Sequence, residues 1–213
     1  MIAGRYRYVA IEGPIGAGKT SLTRKLAQHF NAHTLLEKPE ANPFLERFYS
    51  DRARYALSTQ LFFLFQRVQQ LGDLRQLDMF RDLLFADFLL DKDPLFARLT
   101  LADDELKLYE QILAQLRPQT PPPDLVIYLQ APADTLAERV LRRGNPVEAR
   151  ISAEYLASLA DSYSRFFHQY DEAPVLIVNT ENLNPIDNEG DFGLLLDRIA
   201  RLRGRREYFN LAA

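Results

Sequence analysis

The sequence predicts an α/β fold in which a central five-stranded parallel sheet is flanked by helices. Short apolar runs rich in β-branched and aromatic residues alternate with longer helical stretches, which is the order that βαβ units produce. The runs YVAI, LVIYL and VLIV are apolar without interruption, as is typical of strands buried on both faces. The chain has 213 residues, 47% of them hydrophobic, so we expect one domain over residues 1–213.

The predicted elements follow one another along the whole chain. Strands are expected at residues 6–12, 34–37, 83–88, 124–130 and 174–179. Helices are expected at residues 19–30, 43–50, 52–77, 103–116, 132–143, 153–170 and 191–205. The proline cluster PQTPPP at residues 118–123 falls between a helix and a strand, so we interpret it as a stiff connector and not as a domain boundary.

Composition excludes several classes of function. The 26 Lys and Arg residues against 29 Asp and Glu residues leave a net charge of −3, which gives no reason to expect a nucleic-acid partner. The absence of cysteine excludes disulfides, thiolate metal sites and cysteine nucleophiles. No apolar run approaches the length of a signal peptide or a membrane span, so we expect a cytoplasmic protein with no membrane partner.

The clearest motif lies between the first strand and the first helix. It fits the phosphate-loop pattern G-x-x-x-x-G-K-[ST] and consists of Gly13, Pro14, Ile15, Gly16, Ala17, Gly18, Lys19 and Thr20, followed in the helix by Ser21. Glycines let backbone N–H groups close around a phosphate, and the helix N-terminus adds a positive dipole. The motif therefore predicts a nucleoside triphosphate site, with Lys19 on the β- and γ-phosphates and Thr20 on Mg²⁺.

A small kinase needs three further groups, and the sequence has candidates for each. Glu37 follows the second strand and is a candidate for the carboxylate near the acceptor hydroxyl, with Glu40 as its rival. Asp87 follows the third strand, where it either directs a metal or acts only as a cap or turn residue. The segment 138–150 carries four arginines around Gly144, which is typical either of a phosphate-covering lid or of a solvated basic helix end: Arg139, Arg142, Arg143 and Arg150. A guanine-reading N-K-x-D motif is missing from the sequence, which argues against a GTPase.

The predicted helix 52–77 is apolar on nearly every side. Such a helix is either deep in the core or shared with a second subunit, and with Phe44 and Phe48 nearby we expect a homodimer. Its polar residues Gln60 and Arg67 are seven apart and project from the same face. Polar groups among leucines and phenylalanines need partners, and a ligand would supply them.

These motifs together resemble the deoxynucleoside kinase family from Tyr8 to about Phe192. The resemblance implies a P-loop kinase fold, a lid near residues 142–151, ATP as phosphoryl donor with Mg²⁺, and Glu37 as the base on the 5′-hydroxyl. It places Leu45 and Tyr49 in the nucleoside pocket, the tyrosine on the 3′-hydroxyl, and Gln60 on the base edge with Arg67 near it. It also implies phosphate contacts for Arg139 and Arg143, a sugar contact for Glu148, and packing of Asp191 and Phe192 against adenine.

Three positions depart from the family pattern. The usual acidic–Arg–Ser triplet is Ala86-Asp87-Phe88, so Asp87 would direct the metal and Lys92 would replace the missing positive charge. If Asp87 does not direct the metal, the candidates for that role are Glu12 and Asp91. Asn145 replaces a lid arginine, which weakens the clamp or shifts it to Arg142 or Arg150. Thr59 stands where an aromatic residue of the family often stacks on the base, which leaves the base preference open. Together with Pro39 it leaves room that favours a purine, and deoxycytidine stays an alternative.

The expected activity is therefore ATP-dependent 5′-phosphorylation of a small-molecule deoxyribonucleoside. A nucleoside monophosphate kinase is the first alternative, but residues 57–66 offer no positive charge for an acceptor phosphate. A non-catalytic nucleotide-binding partner protein is the second, and the combined presence of glutamate, lysine and lid arginines argues against it.

Overall fold

The computed structural model describes residues 4–76, 82–116 and 122–211 and contains, within them, a sheet of six parallel strands. The spatial order is β2-β3-β1-β4-β5-β6. The strands are β1 (Tyr8–Glu12), β2 (His33–Leu35), β3 (Leu84–Ala86), β4 (Leu125–Gln130), β5 (Val175–Asn179) and β6 (Arg206–Phe209). The register pairs Ala10 with Ala86 on one side and with Val126 on the other, so β1 and its loop lie between β3 and β4.

The prediction of five strands was wrong by one. The missed strand, β6, has the sequence REYF, pairs only with β5 and is mostly half-exposed. An edge strand of this kind carries no continuous apolar run, and for that reason the pattern did not identify it.

Eight helices are present in the described part of the chain. They are α1 (Lys19–Phe30), α2 (Leu45–Ser50), α3 (Arg52–Gln76), α4 (Asp93–Thr100), α5 (Asp103–Leu116), α6 (Ala133–Arg143), α7 (Ala153–Gln169) and α8 (Glu189–Arg201). Helix α4 was not predicted, and the last helix begins and ends earlier than residues 191–205. Of the predicted elements, residue 77 and residues 118–121 lie outside the described residues.

Apolar residues cover both faces of the sheet. On one face Ile11 and Ile127 pack with Leu22 of α1 and Leu195 of α8. On the other face, Ala10, Val126 and Tyr128 pack with aromatic residues of α7. This alternation along β1 and β4 follows from the two-residue period of a strand, and it confirms the prediction of a sheet buried on both sides. No helix in the described ranges is both long and apolar enough to cross a membrane.

The topology brings three carboxylates to one edge of the sheet. Glu12 ends β1, Asp87 directly follows β3, and Glu37 lies two residues beyond β2. The second strand was expected to reach Glu37 but ends at Leu35. The reason is local: the Glu37 backbone N–H donates to the Asp87 carboxylate at 2.7 Å instead of continuing the strand ladder.

Candidate active site

The phosphate loop connects β1 to α1 with left-handed glycines. Gly16 has φ 86°, and a Cβ built there would lie 2.7 Å from the Leu136 carbonyl oxygen, so only glycine fits. Helix α1 begins at Lys19, which directs its N-terminal backbone N–H groups toward the loop. Lys19 Nζ donates to the carbonyl oxygens of Gly13 at 2.8 Å and Pro14 at 3.3 Å. Burial and the nearby Lys92 ammonium lower the pKa of Lys19.

A cavity of about 380 Å³ opens beside the loop. It brings together most of the predicted site residues: Ile15, Gly16, Gly18, Lys19, Thr20, Ser21, Glu37, Leu45, Tyr49, Gln60, Arg67, Lys92, Arg143 and Glu148. Aromatic residues that sequence reasoning did not assign to the site complete the wall: Phe48, Phe63, Phe96 and Tyr155. Phe48 was expected near a dimer interface, but it is buried. A phosphate site and a half-apolar pocket thus share one cavity, which is the shape that a nucleoside beside a triphosphate requires.

Glu37 lies between the phosphate loop and the half-apolar pocket of this cavity. One of its oxygens, Oε1, accepts from Arg67 Nε at 2.6 Å and from a second guanidinium nitrogen of the same arginine. Lys92 Nζ lies 3.6 Å from that oxygen. Burial opposes ionisation of Glu37, but Arg67, Lys92 and Lys19 outweigh it and lower the pKa to about 2. The carboxylate is therefore ionised and held in place.

Arg67 and Lys92, the two cations beside Glu37, each contact a second carboxylate as well. Arg67 also pairs with the buried carboxylate of Asp93, which lies at the start of α4. Lys92 Nζ lies 3.2 Å from Glu12 Oε1. Burial raises the pKa of Asp93 to about 6 although Arg67 and Lys92 oppose the shift. Tyr109 of α5 donates to the second Asp93 oxygen at 3.4 Å.

Glu12 is fully buried but well satisfied. It accepts from the backbone N–H groups of Gly13 at 3.0 Å and Leu89 at 2.7 Å, and from the Tyr163 hydroxyl at 3.1 Å. These three donors fix its carboxylate, so Glu12 in turn fixes the position of Lys92.

The predicted metal residues contact each other directly. Thr20 Oγ1 donates to Asp87 Oδ2 at 2.5 Å, and the other Asp87 oxygen accepts from the Glu37 backbone. Burial raises the pKa of Asp87. Among the described residues, no group of three or more His, Cys, Asp or Glu side chains could hold a metal by itself. One hydroxyl and one carboxylate nevertheless fit Mg²⁺, which takes one or two protein oxygens and completes its shell with phosphates and water.

The residues that the resemblance assigns to the sugar lie where α2 meets the predicted lid. Arg143 donates to both oxygens of Glu148 at 2.9 and 3.1 Å, and both residues line the cavity with Tyr49. Burial raises the pKa of Tyr49, so its hydroxyl stays protonated. The predicted lid segment 142–151 comprises the end of α6, a turn at Gly144 with φ 67°, and a 3₁₀ turn at Glu148–Arg150.

Arg139 and Phe192 do not line this cavity. Arg139 donates to the Thr180 hydroxyl at 2.9 Å and the Thr180 carbonyl at 2.5 Å, in a second cleft of about 530 Å³ on the other side of the phosphate loop. Phe192 is 5% exposed, packs beneath Lys25 and is not part of that cleft, whereas Ile186 and Asp191 line it. The structure therefore does not place Phe192 where it would contact a bound base.

Sequence reasoning missed Asp93 although it singled out Lys92 beside it. An acid just before a proline at the start of a helix is usually a cap, so the sequence carried no sign that Asp93 is buried against Arg67. A buried acid opposite a buried arginine is visible only once α3 and α4 are packed together.

Comparison with known proteins identifies the family of the chain. The sequence model of the deoxynucleoside kinase family matches residues 9–202. Deoxyguanosine kinase from Bacillus subtilis is 34% identical over 200 residues, covering 92% of this chain and 97% of that protein. Deoxyadenosine kinase from Lactobacillus acidophilus is 30% identical over 197 residues, covering 84% of this chain and 88% of that protein.

The fold has solved counterparts as well. The structure of deoxyadenosine kinase from M. mycoides with dCMP and dCDP bound superimposes with a TM-score of 0.79 at 24% identity, covering 91% of this chain and 99% of that one. The extent of the family match and the identity to the Bacillus enzyme establish that the chain belongs to the deoxynucleoside kinase family.

Proposed function

We propose that the chain transfers the γ-phosphoryl group of ATP to the 5′-hydroxyl of a purine deoxyribonucleoside. The observation that carries the proposal is that Glu37 lies in one cavity between the phosphate loop and a pocket lined by Gln60 and aromatic rings. The relatives named deoxyguanosine and deoxyadenosine kinase support a purine, as do the small side chains of Thr59 and Pro39 in the lining.

Glu37 would act mainly by orienting the 5′-hydroxyl. A carboxylate with a pKa near 2 is a weak base, whereas a strong general base has a pKa near the working pH. Phosphoryl transfer passes through a loose transition state in which positioning contributes more than early proton removal. Glu37 accepts the hydrogen bond of the hydroxyl and receives its proton late, when the new bond to phosphorus has made that proton acidic.

The phosphate end would be neutralised by residues of the loop and the lid. Lys19 would turn from the Gly13 and Pro14 carbonyls to the β- and γ-phosphates. Thr20 and Asp87 would hold Mg²⁺, which when bound supplies positive charge to the phosphate oxygens. Arg143, which lines both clefts, would cover the transferred group as the lid at about 142–151 closes, and Arg139 would reach the donor from its place beside Thr180.

The sugar and the base would be held by the other residues of the cavity. Tyr49 and Glu148 would bond the 3′-hydroxyl, Leu45 would pack on the nucleoside, and Gln60 would bond the base edge while Arg67 keeps Glu37 in place. Phe96 would supply the aromatic surface that Thr59 lacks.

We further propose one domain that forms a cytoplasmic homodimer through α3 and α5. Phe65 of α3 is 51% exposed and Leu108 of α5 is 47% exposed, and a dimer formed through these two helices would cover both side chains. Sedimentation should give twice the chain mass of 24.6 kDa, and a mass near that of one chain at micromolar concentration would reject the dimer.

The test is a phosphorylation assay across the four deoxyribonucleosides and their monophosphates with ATP and Mg²⁺. We expect turnover of at least one purine deoxyribonucleoside and none of the monophosphates. Arg67 and Lys92 are already paired with carboxylates, which leaves them poorly placed to bind an acceptor phosphate. Turnover of a monophosphate alone would show a monophosphate kinase, and tight ATP binding without turnover would show a nucleotide-binding partner protein.

A further inference from the structure

The amide of Gln60 has a neighbour that restricts its orientation. Gln60 is buried at the cavity wall, and its Nε2 donates to Thr100 Oγ1 at 3.4 Å. Thr100 ends α4, and its own hydroxyl donates to the Phe96 carbonyl oxygen at 2.7 Å. A hydroxyl has one proton. Because Phe96 takes that proton, Thr100 can only accept from Gln60.

It follows that the nitrogen end of the amide faces Thr100. If the amide turned by half a rotation, Gln60 Oε1 would meet the lone pairs of Thr100 Oγ1 and the hydrogen bond would be replaced by repulsion. The amide oxygen is therefore held on the side away from Thr100.

The orientation of the amide matters because the Watson–Crick edges of the bases form two classes. Adenine and cytosine present an amino donor beside a ring-nitrogen acceptor, whereas guanine and thymine present a carbonyl acceptor beside an N–H donor. A glutamine amide can pair with either class, but only by exchanging its oxygen and nitrogen ends. An amide held in one orientation serves one class and rejects the other, provided that the base enters in one direction.

We propose that Thr100 is a positioning residue for base selection: it holds the Gln60 amide so that the cavity discriminates a 6-amino purine from a 6-keto purine. The proposal rests on the proposed function, because Gln60 must face the base edge and the sugar must be held at Tyr49 and Glu148. Thr100 itself does not contact the substrate; it acts through Gln60.

The test compares kcat/KM for deoxyadenosine and deoxyguanosine in the parent, Thr100→Val and Thr100→Ser proteins. The parent should prefer one purine by at least about tenfold, since a buried hydrogen-bonding group rejects a mismatched partner. Valine has nearly the shape of threonine but no acceptor, so the preference should fall by about tenfold, partly through a gain for the disfavoured nucleoside. Serine keeps the hydroxyl and should keep the preference.

A matched control is available in α1. Thr23 is buried outside the cavity, and its hydroxyl has no hydrogen-bond partner within the described ranges. Thr23→Val makes the same chemical change and should leave the ratio of the two kcat/KM values unaltered. Thermal unfolding of each variant shows whether the fold is kept.

Three results would overturn the role of Thr100. They are a parent ratio near one, an unchanged ratio in Thr100→Val (an equal loss for both nucleosides included), and a serine variant that behaves like the valine variant. Calorimetric binding of the two nucleosides gives the same ratio without turnover. Binding with the expected ratio but no phosphorylation would therefore contradict the proposed function and leave the role of Thr100 supported.

Discussion

Replacing Asp93 by asparagine should make the protein more stable, relative to the parent, as the pH rises. Asp93 is 1% exposed, and burial raises its pKa from 3.8 to about 6. Between these values the folded chain keeps a proton that the unfolded chain has lost, so the free energy of unfolding of the parent falls as the pH rises through that window. Asparagine has no proton to lose. Between about pH 5 and 8 the variant should gain about 1.4 kcal/mol on the parent.

The measurement is urea denaturation of both proteins at several pH values across that range. Asparagine also weakens the contact with Arg67, but the part of that contact that depends on ionisation of Asp93 is already contained in the pKa of Asp93. The remaining loss is the same at every pH, so the slope of the stability difference with pH is the informative quantity. Asp161→Asn, on an exposed site of α7, is the control and should follow the parent. A stability difference that stays flat or declines with pH would refute the argument that burial outweighs Arg67 at Asp93.

Three further substitutions test the proposed roles around the phosphate. Glu37→Gln should lower turnover by about 10²–10⁴ while calorimetry shows nucleoside binding retained; an active Glu37→Gln beside an inactive Glu40→Gln would show that the wrong carboxylate was chosen. Lys19→Ala should abolish turnover and weaken ATP binding while nucleoside affinity is kept, and equal loss of both ligands would point to misfolding. Asp87→Asn should lower the rate, with partial recovery at high Mg²⁺ because the amide keeps an oxygen but loses the charge; parent-like kinetics would remove Asp87 from the metal site.

The phosphate loop could be predicted because all of its information is local. One contiguous stretch determines the glycine conformations, the start of α1 and the position of Lys19, and the structure has α1 at the predicted residues. Of the other cavity residues, Glu37 and Arg143 were predicted from their places at a strand end and in an arginine-rich segment, whereas Leu45, Tyr49 and Glu148 were predicted only through the family resemblance. Gln60 and Arg67 had an additional signal of their own, since two polar residues seven apart in an apolar helix require partners.

The parts of the site that could not be predicted depend on contacts between segments that are distant in the sequence. The pairing of Arg67 with Asp93 joins α3 to α4, and no spacing in the sequence indicates it. Phe192 illustrates the opposite error. The resemblance of Asp191-Phe192 to the family segment that packs against adenine suggested a ligand contact. An aromatic residue in the first turn of an amphipathic helix packs against the core, however, and α8 directs Phe192 inward.

The balance of buried charge supports the proposed magnesium site at Thr20 and Asp87. Around Glu37, the cations are Lys19, Arg67 and Lys92, and the carboxylates are Glu12, Glu37, Asp87 and Asp93. Arg67 is shared by two of these acids and Lys92 by two, so the positive groups are committed to the base of the cavity. Within the described ranges, Asp87 accepts hydrogen bonds from Thr20 and from a backbone N–H but forms no ion pair, and burial raises its pKa. We infer that Asp87 is the carboxylate whose charge remains uncompensated, and that a divalent cation arriving with the phosphates would balance it at the point where the phosphoryl group is transferred.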